Sequence, residues 1–135
     1  NKLSHQHPEF KWALSCGPTP REKLVLKDIL EQLEFKPACV HAGDLSIPQL
    51  TRLIAGAKLH MGADSGALHL AIMTKRGTLG WYRTYDGLRE WMPVGAEHAA
   101  LIGQSTPQGL SDITVESVCD GFESILGAAP PPSAS

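Results

Sequence analysis

The chain has 135 residues, 42% of them hydrophobic and 19% charged, which suits one domain with a genuine core and is too short for two ordinary ones. Lys plus Arg number 12 and Asp plus Glu 14, a formal net charge of -2 without a basic stripe, so nucleic acid is not an expected partner. No apolar run approaches the ~20 residues of a membrane span and no apolar signal core opens the chain, so the expectation is a soluble, cytoplasmic protein with at most a peripheral role at a membrane.

In chain order, residues 1–9 are polar and read as a flexible, solvated arm. Its His5 and His7 form an H-x-H pair with no further ligands nearby, so no metal site is expected. The first residue is Asn1, not Met, as in a fragment or a processed chain. Residues 10–16 read as a strand closed by Gly17 and Pro18. Thr19-Pro20-Arg21-Glu22 is a capping box with proline at the first helical position. Leu26, Ile29, Leu30 and Leu33 then form one helical stripe. Residues 38–42 are a short apolar strand, and Gly43-Asp44-Leu45 turns the chain into a second capping box, Ser46-Ile47-Pro48-Gln49. Leu50, Leu53, Ile54 and Ala57 carry the buried face of that helix.

Residues 58–63 are a third strand candidate, and Asp64-Ser65-Gly66 starts a helix running to about Met73. Residues 77–82 read as a fourth strand. The loop 83–95 is rich in aromatic and charged residues; Trp81 and Trp91 are expected to be partly buried against the core. Residues 98–102 form a fifth, short strand. The last helix spans about 114–126 with Val115, Val118, Cys119, Phe122, Ile125 and Leu126 at helical spacing. Residues 127–135 are small residues and proline, expected to be disordered. Cys16, Cys39 and Cys119 are widely spaced and odd in number, as for buried thiols of a reducing compartment.

Strands alternating with helices across short turns imply a parallel sheet with right-handed crossovers. Short apolar strands without strict alternation imply that both sheet faces are covered. The expected fold is α/β, Rossmann-like, with about five parallel strands over residues 10–126. In such a sheet, ligands bind beyond the carboxyl ends of the strands. Three loops meet that rim: 17–19, 43–46 and 62–66. Each puts small residues at a helix N-terminus, where free N–H groups favour an anion such as phosphate.

The third loop is the most pointed. Gly66 permits close approach of a phosphate, Ser65 offers a hydroxyl, and His69 projects from the same helix face one turn on. Asp64 would be repelled by a diphosphate, so it braces the turn or bonds a sugar or ribose hydroxyl. On spacing alone, Asp64 or Ser65 also reads as a simple N-cap and His69 as a core histidine. G-x-G-x-x-G is absent after the first strand, which argues against a dinucleotide cofactor.

The run Leu53-Ile-Ala-Gly-Ala-Lys-Leu-His-Met-Gly-Ala-Asp-Ser-Gly-Ala-Leu-His-Leu-Ala71 resembles the signature of glycosyltransferase family 9, the bacterial heptosyltransferases, in which an L-I-A-x-A run and an apolar strand precede D-[ST]-G-x-x-H-L-A. Ala42 to Leu50 is similar to that family's A-G-x-T-S-L-x-E-L segment, Ser15 to Pro18 to its G-G-P turn, and Asp112 to Val118 to its closing helix start. The resemblance implies the C-terminal, donor-binding half of a GT-B enzyme. An N-terminal half that binds the acceptor and supplies a carboxylate base is missing here.

Carried over by position, Asp64, Ser65, Gly66 and His69 match the motif that holds the diphosphate and sugar of a nucleotide-sugar donor, commonly ADP-heptose. Leu45 and Ser46 match the nucleoside side, and Thr19 sits by the first cleft loop. The implied reaction is inverting displacement at the sugar's anomeric carbon, in lipopolysaccharide or related cell-surface glycan synthesis, without a bound metal or other cofactor. No residue of this chain reads as the catalytic base.

Two departures stand out. The second-turn glycine and proline of the family are replaced around Trp81-Tyr82-Arg83-Thr84, where Arg83 is either a contact for a phosphate or a sugar-acid carboxylate or a surface arginine. The family's acidic nucleoside contact is not evident, since Val40 and His41 occupy that stretch. The rival reading is a non-catalytic binding or interaction module derived from a GT-B half.

Overall fold

Thr19 and Pro20 start the first long helix, as the sequence predicts. Thr19 is its N-cap, extended at φ -70° and ψ 147°, and its side chain accepts a hydrogen bond from the Glu22 N–H. Pro20 follows at a position where a missing N–H costs nothing. A computed structural model of the chain describes residues 1–107 and 109–131. It divides into two units, Asn1–Ile47 and Pro48–Ser135.

In the first unit, β1 (Ala13–Cys16) and β2 (Cys39–Ala42) run parallel, in register from Ala13 opposite Cys39 to Cys16 opposite Ala42. Helix α2 (Pro20–Glu31) connects them and buries Leu26. Ile29, expected on the same buried stripe, is 43% exposed. Two strands, with axes about 4.8 Å apart, are too narrow a platform to cover the whole stripe. Gly43 follows β2 at φ +76°, and a Cβ there would lie 2.5 Å from the Pro18 Cα. The turns after β1 and β2 therefore pack backbone on backbone, and only glycine satisfies both demands.

The residues read as a solvated arm fold as a short helix, α1 (Lys2–Gln6), which buries Leu3. The Asn1 side chain donates to the Gln32 carbonyl and accepts from the Glu34 N–H, both at 2.9 Å. One leucine and one amide spanning the exit of α2 supply what the polar composition hides. His7 Nδ1 lies 3.2 Å from Glu9 and His5 Nε2 3.7 Å from Glu34, so each histidine of the H-x-H pair faces a carboxylate.

The second unit takes up the chain in α3 (Ile47–Ala55) and continues with β3 (Leu59–Ala63), α4 (Gly66–Met73), β4 (Gly77–Arg83) and β5 (His98–Gly103). Next come a small antiparallel hairpin, β6 (Ser105–Thr106) with β7 (Gly109–Leu110), and the closing helix α5 (Val115–Leu126). Strands β3, β4 and β5 lie parallel in that order. Both faces of β4 are covered, which explains its unbroken buried run from Gly77 to Gly80. On one face a Cβ at Gly80 would lie 2.9 Å from Leu68 of α4; on the other, Gly121 of α5 lies against Leu79. Leu68, Tyr82 and Leu88 form a buried cluster joined by Ile72, Met92 and Ala100.

The aromatic loop resolves unevenly. Trp81 is half-buried, whereas Trp91, expected to be partly buried with it, is 66% exposed. A 3-10 turn at Leu88–Glu90 delivers Leu88 to the core in its place. Residues 127–131, in the stretch composed like a disordered tail, bury Ala129, whose methyl sits where a side chain on Gly77 would otherwise be. Lys58 Nζ donates to the Ala129 carbonyl at 3.3 Å, and the buried Arg76 donates to the carbonyl of Pro131. Residues 132–135 lie outside the described residues. The fold is thus α/β and Rossmann-like, with helix-flanked parallel strands. Among the described residues the five parallel strands are divided into sheets of two and three.

Candidate functional site

At the carboxyl rim of the three-stranded sheet, β3 leads through Asp64 into α4. The Asp64 N–H donates to the Trp81 carbonyl at 3.1 Å, extending the β3–β4 pairing one residue past the strand. Ser65 is the N-cap of α4, extended at φ -154° and ψ 172°, and its side chain makes no capping hydrogen bond. The caps of α2 and α5 differ: Thr19 and Thr114 both spend their hydroxyls on N–H groups of the first turn. The first-turn amides of α4 therefore lack a side-chain acceptor, and the serine hydroxyl next to them is uncommitted. A Cβ placed on Gly66 would meet nothing within 4 Å. The helix mouth is open.

His69 is not a core residue: its side chain is 46% exposed, and Nε2 lies 3.4 Å from Asp64 Oδ1. Asp64 thus braces the turn against the helix that it precedes, by main chain to β4 and by side chain to His69. Beside it is a pocket of about 240 Å³ lined by Ala63, Asp64, Trp81, Arg83 and Leu110. Tyr82 lies under this rim; burial pushes its phenol pKa up, and the nearby Asp64 charge adds to the shift. The structure therefore brings Asp64, Ser65, Gly66 and His69 together and sets Arg83 in the same pocket wall as Asp64. Sequence reasoning missed Leu110. Its hairpin has two-residue strands, too short for any periodicity, although Pro107 and Gly109 mark the turn.

The two rim loops of the first unit look different. Thr19 Oγ1 donates to Glu22 Oε2 at 2.5 Å, and the Glu22 carboxylate occupies the space a Gly17 side chain would take. A phosphate at the mouth of α2 would meet that carboxylate, and the Thr19 hydroxyl is engaged as the cap of the helix. The Thr19 hydroxyl holds the Glu22 carboxyl below its ordinary range. Because that pKa is depressed on folding, the pair adds stability above the unfolded-state pKa and loses it as pH falls through the folded one. Thr19→Ala is expected to cost about 1 kcal/mol of stability. It should also return Glu22 toward its ordinary titration. Thermal melting and an NMR titration of Glu22 check both; an unmoved Glu22 would contradict the bond.

After β2, His41 Nδ1 lies 3.1 Å from Asp44 Oδ2, and this bond is the largest cause holding the Asp44 carboxyl below its usual range. Leu45 is half-buried, and Ser46 is exposed immediately ahead of α3. Among the described residues no group of three or more His, Cys, Asp or Glu could hold a metal ion. No helix among them is long and apolar enough to cross a membrane.

The family model of glycosyltransferase family 9 (heptosyltransferase) matches residues 2–110. The chain belongs to that family. Its fold is accordingly a Rossmann-like half of the GT-B kind, and the family match ends at Leu110, on the pocket wall. The chain is also similar to lipopolysaccharide heptosyltransferase 3 of Escherichia coli (strain K12), 30% identical over 88 residues. That stretch is 65% of this chain and 25% of the relative, so the matched region spans a quarter of the relative's length. No solved structure gives a significant match.

Proposed function

We propose that this family 9 chain is the donor-binding part of an inverting glycosyltransferase, holding a nucleotide-sugar of the ADP-heptose type. The observation that carries the reading is the open mouth of α4, with an idle Ser65 hydroxyl, nothing over Gly66 and the Asp64–His69 pair alongside. Unsatisfied helix N–H groups stabilise a departing diphosphate as charge develops on it. Gly66 lets the phosphate come close, and Asp64 bonds a sugar hydroxyl. By the family resemblance alone, Leu45 and Ser46 are assigned to the nucleoside side. The acceptor and the catalytic base belong to an acceptor-binding domain outside this chain. The resemblance to a lipopolysaccharide heptosyltransferase supports a place in lipopolysaccharide or related surface-glycan synthesis, in the cytoplasm, with the whole enzyme peripheral to the inner membrane.

Calorimetric titration of the chain with ADP, UDP, GDP and their sugar conjugates tests this. Saturable binding of at least one, tighter than about 1 mM or 4 kcal/mol, is expected, with no turnover. Failure of all of them, with the circular dichroism of a folded chain, would favour a non-catalytic interaction module.

A further inference from the structure

Arg83 ends β4, two residues beyond Trp81, which is opposite Ala63 in the β3–β4 register. At about 3.3 Å per residue, its Cα stands some 6.6 Å above that row, level with the turn that carries Asp64 and Ser65. Side chains alternate along a strand, so Arg83 shares the face of Leu79 and Trp81. That is the α5 face, whereas Tyr82 packs with Leu68 on the α4 face. Arg83 therefore approaches the rim from the side opposite the mouth of α4 and shares a pocket wall with Asp64, the residue that precedes the Ser65 cap.

The guanidinium is exposed, and among the described residues no acidic side chain pairs with it. The acid in its own pocket, Asp64, is 3.4 Å from His69. The pocket wall thus combines a fork of N–H donors that makes no ion pair, the Trp81 ring and the Asp64 carboxylate, which is engaged by His69 and suits hydroxyls. We propose that Arg83 is a specificity-determining residue that grips an oxyanion of the ligand seated at the α4 mouth. This rests on the donor-site reading above. The oxyanion is either on the diphosphate itself, reached from its far side, or an acidic group on the sugar.

The full chain and its Arg83→Ala and Arg83→Lys variants are titrated with ADP, UDP and GDP, and with UDP-glucose against UDP-glucuronate. Arg83→Ala is expected to melt like the parent and to bind tenfold or more weakly. Equal weakening on every ligand identifies the diphosphate as the anion; weakening confined to UDP-glucuronate identifies a sugar acid. Arg83→Lys should recover part of the loss, because it keeps the charge without the planar fork. A parent that binds while Arg83→Ala stays within twofold on every ligand overturns the role of Arg83 and leaves the donor site standing. A parent that binds none of the ligands overturns the donor-site reading and this proposal with it.

Discussion

Gly66→Ala is expected to make the chain more stable and its ligand binding weaker. Gly66 is the first residue of α4, its backbone is not in the left-handed region, and an added Cβ meets nothing. Alanine fits there without strain and removes freedom from the unfolded chain, a gain of about 0.4–1 kcal/mol. The empty space is the reason for the opposite effect on function. If a phosphate sits on the first-turn amides, the new methyl group stands where its oxygens approach, and affinity should fall by about tenfold, or 1.4 kcal/mol. Gly127→Ala is the matched control: its Cβ also meets nothing, at φ -72°, but it follows the end of α5, far along the chain from the mouth. It should stabilise comparably and leave binding alone. A Gly66→Ala chain that gains stability and binds a nucleoside diphosphate as tightly as the parent would move the phosphate away from this helix.

How much of this was legible in the sequence depended on the physics of each signal. The helix starts were legible because caps are local: Thr19-Pro20 and Thr114 stand at the N-caps where a hydroxyl can reach the first turn. The parallel strands were legible from short apolar runs between turns, and β4 became a strand covered on both faces. Asp64, Ser65, Gly66 and His69 came together because they lie within six consecutive residues at the start of a single helix. What failed was non-local. Nothing in residues 1–9 shows that Asn1 will bond the exit of α2, more than thirty residues on. Helical spacing could not reveal that a two-stranded sheet leaves Ile29 in solvent. Aromatic density in residues 81–91 did not say which ring would be buried; tertiary packing chose Tyr82 and Leu88 over Trp91. That the Glu22 carboxylate folds back onto the Thr19 hydroxyl at the mouth of α2 is likewise a fact of side-chain placement, which only coordinates give.

The open mouth also depends on packing that a motif does not display. Leu68 is fully buried in α4, against Tyr82 and Leu88. α4 has eight residues, too few to persist by its own hydrogen bonds in water. Its hold is the face that carries Leu68 and Ala71. Leu68→Ala is expected to cost about 2–5 kcal/mol, a substantial share of the ~5–15 kcal/mol that a domain typically has. Val94→Ala, at a side chain 94% exposed, should change stability by no more than about 0.5 kcal/mol. Urea midpoints give both values. Amide exchange should localise the Leu68→Ala damage: protection lost first in α4 and later in β4, whose pairing with β3 and β5 does not pass through Leu68. The Ser65–Gly66 mouth then loses its shape although no residue of the motif has changed. Ligand at about a hundred times its Kd should restore some 2.7 kcal/mol by mass action. Such rescue requires that folding of α4 and occupation of its mouth be one equilibrium. Stabilisation of the parent without any rescue of Leu68→Ala would place the binding energy elsewhere on the chain.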